Sequence, residues 1–194
     1  MSKNLFLTGK DWKSNSMLLR SVLGRNLACA GGYLTERTGT DEDFTYTMYP
    51  APYGAGYPEL EGEEFFHFSY TDLSKNTEVF RNLGTQLLYE AVFYPFAVID
   101  QFGGFELLVP EFRAKLEDLL NSEIPVIGVL LSPEEMEETK ILYGLGDKID
   151  QYQEKLHSAL KKDPDTLLLS SDNDSPARIF SEVSLWSSQY AKIL

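Results

Sequence analysis

The stretch Phe96-Ala97-Val98-Ile99-Asp100-Gln101-Phe102-Gly103-Gly104-Phe105-Glu106-Leu107 decides the fold. Its first four residues are apolar without alternation, the pattern of a strand covered on both faces in the centre of a parallel sheet. The run closes on a carboxylate, Asp100, and then on two glycines. That is where an open α/β sheet presents its ligand-binding edge. In front of it, Pro95 stops a helical pattern over 76–94 in which Val79, Leu83, Leu87 and Ala91 recur every four residues. Behind it, Pro110 opens a helix with Phe112, Leu116, Leu119 and Leu120 on one face.

Working outward, Asn4 to Thr8 reads as a short buried strand ended by Gly9, and Met17 to Leu27 has helical apolar spacing. Ile124 to Leu131 and Thr166 to Ser170 are further strands. Ser132-Pro133-Glu134-Glu135 is a helix start, with a cap, a proline in the first turn and acids near the positive end of the dipole. The helical pattern from Glu134 to Lys162 is interrupted by Gly144 and Gly146, so two helices or a kinked one fit equally, and Ser175-Pro176 opens a last helix to about Tyr190. This alternation predicts an α/β fold, a mostly parallel sheet flanked by helices. Phe44 to Tyr49 instead alternates with period two, and 64–70 is also strand-like. Residues 38–72 are therefore expected as a β-rich antiparallel insertion within one domain spanning 1–194. Its tyrosines, Tyr46, Tyr49, Tyr53 and Tyr57, offer either a partner surface or a cover for the sheet edge.

Composition narrows the function. The chain has 194 residues, with 17 Lys+Arg against 30 Asp+Glu, a net charge of -13. Nucleic acid and acidic membranes need a basic surface to displace counterions, so neither is an expected partner. Cys29 stands alone, which excludes an internal disulfide and zinc-site spacing. No leader-like segment and no run of about 20 apolar residues is present, and a cytoplasmic protein is expected.

Two places carry candidate chemistry. Gly9-Lys10-Asp11-Trp12-Lys13-Ser14-Asn15-Ser16 spans the length of a phosphate-cradling GxxxxGK[ST] loop. Gly9 and Ser16 hold its first and last positions, while Ser14 replaces the second glycine and Asn15 the lysine. At the other place Asp100 is a candidate to hold magnesium together with Ser16, and Gln101 can orient a water but not take its proton. Lys10 and Lys13 are flexible cations within reach of the same loop, and Arg37 is a third candidate at the sheet's edge.

These segments resemble the P-loop nucleoside-triphosphatase family related to nucleotide kinases. The resemblance rests on Leu5 to Ser16, on Gly31-Gly32-Tyr33-Leu34-Thr35-Glu36-Arg37 beside that family's GFYTEE-like strand, and on Ile99 to Leu107 beside its IDEIGKMEL motif. It continues through Glu111-Phe112 and Ile124 to Val129. It implies a three-layer sandwich and magnesium-dependent nucleoside triphosphate hydrolysis. Gly9 and Ser16 then match the phosphate loop, Asp100 the magnesium-side acid and Glu106 the later glutamate. The departures at Ser14, Asn15 and Gln101 remove a phosphate-neutralising cation and a base together, each worth orders of magnitude in rate. The leading expectation is a nucleotide-binding or protein-interaction module with hydrolysis lost or reduced. The alternatives are an active magnesium-dependent triphosphatase or phosphotransferase using Lys10 or Lys13, and a protein binder whose old pocket is filled by side chains.

Overall fold

The computed structural model describes residues 2–57 and 59–191. Among them the chain runs β1 (Asn4–Thr8), α1 (Trp12–Leu23), β2 (Ala30–Gly39), β3 (Asp43–Pro50), β4 (Glu63–Ser69), β5 (Leu73–Lys75), α2 (Thr85–Glu90), β6 (Phe96–Phe102), α3 (Pro110–Leu120), β7 (Val126–Leu130), α4 (Pro133–Tyr143), α5 (Lys148–Lys162), β8 (Thr166–Ser170) and α6 (Pro176–Tyr190). One sheet holds the strands in the order β5-β4-β3-β2-β6-β7-β1-β8. The five from β2 to β8 in that order pair in parallel, and β3, β4 and β5 add antiparallel to the outer edge of β2.

Side-chain alternation in the central strands fills two cores at once. In β1, Leu5 and Leu7 enter the core under α1 and α6, whereas Phe6 enters the one under α2, α3 and α5. In β6, Phe96 and Val98 take the first side and Ala97 and Ile99 the second. Both faces of each strand are therefore dry, which explains why these segments read as unbroken apolar runs. Trp186 of α6 closes the first core against Phe96 at 5.8 Å between ring centroids, and its indole N–H donates to the Lys3 carbonyl at 2.9 Å.

Several boundaries differ from the sequence reading, each for a local reason. The helix expected over 76–94 is divided: a wide π turn at Phe80–Gly84 precedes α2, and a 3-10 turn at Ala91–Phe93 follows it. The Thr85 hydroxyl supports the wide turn by donating to the Phe80 carbonyl at 2.9 Å, a contact that apolar spacing does not reveal. Between α4 and α5 the chain breaks at Gly144, which takes a left-handed backbone and caps α4. The antiparallel strands expected over 38–72 run on to Lys75, because the short β5 is exposed at every residue and shows no apolar alternation. β2 is shared: its first residues pair with β6 and its later ones with β3.

Gly32 marks the closest approach between β2 and β6. Its φ is +84°, and a Cβ there would lie 2.1 Å from the Val98 carbonyl oxygen. Relief requires two central strands to separate, since the obstructing atom is backbone. Gly32→Ala is expected to lower the unfolding free energy by about 3 kcal/mol or more, read as a fall in the urea midpoint at unchanged slope.

Candidate functional site

One face of α1 and the strands β2 and β6 meet around one buried carboxylate. Asp100 is fully buried, and its Oδ2 accepts the Ser16 hydroxyl at 2.7 Å. The same oxygen accepts the Arg20 guanidinium through Nη2 at 2.7 Å and Nε at 3.2 Å, and lies 3.4 Å from the Thr35 amide. The Thr35 hydroxyl donates to the Asp100 carbonyl at 2.8 Å. Asp100 Oδ1 is buried without a hydrogen-bonding partner. Arg20 also reaches the Thr35 carbonyl and pairs with Glu36 Oε1 at 3.2 Å, so one guanidinium joins α1, β2 and β6. Ser16 and Arg20 share a helix face because they are four residues apart.

The segment before Ser16 has a different form from the one its spacing suggests. Only Gly9, Lys10 and Asp11 lie between β1 and α1, so Trp12 to Ser16 are already helical. Asp11 starts the helix this early: its side chain caps α1 by accepting the Ser14 amide at 3.0 Å, and its carbonyl accepts the Asn15 amide. Bonding to Ser14 holds the Asp11 carboxyl below the usual carboxylate range. Asn15, at the position of the family's lysine, turns inward, where its amide donates to the Thr8 carbonyl at 3.2 Å and to Ser171 Oγ at 3.5 Å.

Residues after β8 pack against this turn. Gly9 has φ +116°, and a Cβ there would lie 2.3 Å from Ser171 Oγ. The Lys10 amide donates to the Asp172 carboxylate, 3.2 Å from its nearer oxygen. From a third direction comes Glu135 of α4, buried and bonded to the Ser132 amide at 3.0 Å in a capping box. Burial pushes its carboxyl up to about 7, against the Ser132 bonds and the Trp12 amide that favour its charged form. Three acids therefore surround the start of α1, where the helix dipole and free amides would otherwise receive an external anion.

The remaining candidates are distributed as follows. Glu106 is buried, and its Oε1 accepts the Gly103 amide at 2.6 Å and the Gly104 amide at 2.8 Å, so it shapes the glycine loop after β6. Burial pushes its carboxyl up to about 7 despite those bonds. Gln101 sits at a bulge in β6 with φ +67°, and its carbonyl accepts the Tyr33 hydroxyl at 3.1 Å. A non-glycine residue there is strained, and the register shift it absorbs turns the loop away from the strand. Lys10, Lys13 and Ser14 are exposed. Arg37 lies over the Phe44 ring at 4.2 Å and bonds Thr40 and Asp41. Of the tyrosines, Tyr46 is buried in the core, Tyr49 and Tyr53 stack at 3.9 Å, and Tyr57 is exposed.

No family model matches the chain, and no curated protein does. Among solved structures the chain is similar to the crystal structure of THEP1 from the hyperthermophile Aquifex aeolicus. The TM-score is 0.61 and the identity 13%, over 93% of this chain and 96% of that one. The fold is that of the P-loop nucleoside triphosphatases. Among the described residues no helix is long and apolar enough to cross a membrane, and no cluster of three or more His, Cys, Asp or Glu side chains could hold a metal ion.

Ser16 and Asp100 are together, as the resemblance implies for magnesium, but Arg20 already supplies the cation on Asp100. In the turn before α1, Gly9 faces Ser171 and the Lys10 amide faces Asp172. Sequence reading missed Arg20, although its spacing from Ser16 was a usable signal. Asp172 and Glu135 gave no local signal, since they reach the site from far along the chain.

Two measurements test these assignments. Arg20→Ala leaves Asp100 buried without its cation and is expected to cost about 3–5 kcal/mol of stability in denaturant unfolding. Glu106 has a folded pKa above its unfolded value, so its stabilising contribution is full below about pH 4.5 and is lost as pH rises through about 7. Glu106→Gln removes that loss. Between pH 4.5 and 7 its unfolding free energy is expected to fall less steeply than the wild type's, by up to about 1.4 kcal/mol per pH unit.

Proposed function

We propose that this chain is a P-loop-fold binding module from which nucleoside triphosphate hydrolysis has been lost. The observation that carries this reading is the internal filling of the phosphate seat, with the Asp172 carboxylate on the Lys10 amide and Ser171 against Gly9. An incoming phosphate would have to displace a carboxylate of the chain and settle among Asp11, Glu135 and Asp172 without the family's lysine. Of these acids Glu135 is buried, and its charge is the least screened by water. Asn15 is engaged with Thr8, and Arg20 occupies Asp100.

The intact Ser16–Asp100 contact favours a second reading, an active triphosphatase or phosphotransferase in which Lys10 or Lys13 swings onto phosphate. Calorimetric titration with ATP and GTP in magnesium, together with a phosphate-release assay, separates the two. The first reading expects release no faster than buffer and millimolar or weaker affinity. A combined Ser14→Gly, Asn15→Lys and Asp172→Asn variant is expected to bind at least tenfold more tightly, about 1.4 kcal/mol. Steady phosphate release by the wild type that disappears in Asp100→Asn would overturn the first reading and support the second.

A further inference from the structure

Beside the filled phosphate seat, the exposed face of α1 and the end of β2 enclose a cleft of about 370 Å³. Its walls are Trp12, Lys13, Ser16, Met17 and Arg20 of α1, with Thr35, Glu36 and Arg37 of β2. Residues 12, 13, 16, 17 and 20 share one helix face, so a single turn pattern aligns the lining. We propose that this cleft binds a small phosphomonoester carrying a flat ring, the phosphate against Lys13 and Arg37 and the ring against Trp12. The proposal deepens the binding-module reading by naming a ligand class, at a location separate from the phosphate seat.

Three features support this ligand class. The first is charge. Lys13 and Arg37 face the cleft in a chain whose net charge is -13; Arg20 is engaged by Asp100 and Glu36 and Arg37 pairs with Asp41 at 3.1 Å, so the attraction for an anion rests on Lys13 together with Arg37. The Glu36 charge is already engaged by Arg20 at 3.2 Å, and the Tyr53 hydroxyl donates to it at 3.4 Å. The second is preorganisation. The Arg37 guanidinium is fixed by the Phe44 ring, the Thr40 carbonyl and Asp41, which lowers the entropy lost when it meets an anion. Lys13 remains an exposed, mobile cation that can close on the ligand.

The third feature is apolar surface where a polar helix face would be expected. Trp12 is half-buried against Tyr46, with ring centroids 5.7 Å apart, and contributes to the cleft wall. Met17 stands beside it 71% exposed. An indole and a thioether flanking a cationic end match a ligand with a flat ring at one end and a phosphate at the other. The volume is at the small end of ligand sites, which limits the occupant to a small molecule.

The two tryptophans provide the readout. In nitrogen-15 NMR each indole N–H gives its own signal, Trp12 in the cleft and Trp186 bonded to the Lys3 carbonyl as the internal control. Titration with phenyl phosphate is expected to shift the Trp12 signal saturably and leave Trp186 still. Inorganic phosphate and phenol, the two halves of the probe, are each expected to bind at least tenfold more weakly. Lys13→Glu and Met17→Glu change exposed side chains, and each should weaken phenyl phosphate about tenfold, the size of one charged hydrogen bond. Asp172→Asn should leave that affinity unchanged. Absence of a Trp12 shift, unchanged affinity in Lys13→Glu, or equal affinity for inorganic phosphate would overturn the proposal. Tighter binding in Asp172→Asn would also overturn it, by placing the anion in the phosphate seat. ATP turnover by the wild type would refute the loss of hydrolysis without touching this result.

Discussion

A fully buried carboxylate at the end of a central strand is the constraint around which the upper edge of this protein is built. Asp100 has no access to water, so its charge requires partners from the protein itself. Ser16 and Arg20 come from α1 and Thr35 from β2, and together they tie the first helix and the shared strand to β6. Here a guanidinium on the neighbouring helix face fulfils the electrostatic requirement permanently.

The same substitution of internal for external partners runs through the first turn. Asp11 caps α1, Asp172 accepts the Lys10 amide, and Asn15 turns back onto Thr8. Each contact satisfies a backbone amide or carbonyl of the turn from within the chain. The acids do not neutralise one another, which is consistent with Glu135 having its carboxyl pushed up to about 7 by burial beside them. Of the cations at this edge, Lys13 of α1 and Arg37 of β2 line the cleft, while Arg20 of α1 turns to Asp100.

Much of this was legible in residue order. The unbroken apolar runs of β1, β6 and β7 announce strands covered on both faces, and the caps at Ser132 and Ser175 begin helices where they were expected. That Ser16 and Asp100 belong to one site was implied by the resemblance, and the two are in hydrogen-bond contact. What was not legible has a common cause. The π turn before α2 depends on one hydroxyl, β5 has no apolar period, and Tyr46 proved to be core because β3 is covered by Phe65 and Phe66 from its neighbour. Glu106, which the resemblance matches to the later glutamate of the motif, also bonds two amides within three residues of it, a local contact that residue order alone did not announce.

The sequence by itself determined the order of strands and helices, the acidic balance and which residues stand at the strand ends, because periodicity, capping and charge are local properties. A local cap at Asp11 makes the eight-residue motif a three-residue turn and a helix, and tertiary structure decided how that turn is surrounded. It also decided that Asp172 and Ser171 fill the space beside Gly9, and that Lys13 and Arg37 open onto a common cleft. Those outcomes depend on which distant segments compete for the same amides and the same volume, and that competition exists only once the chain has closed on itself.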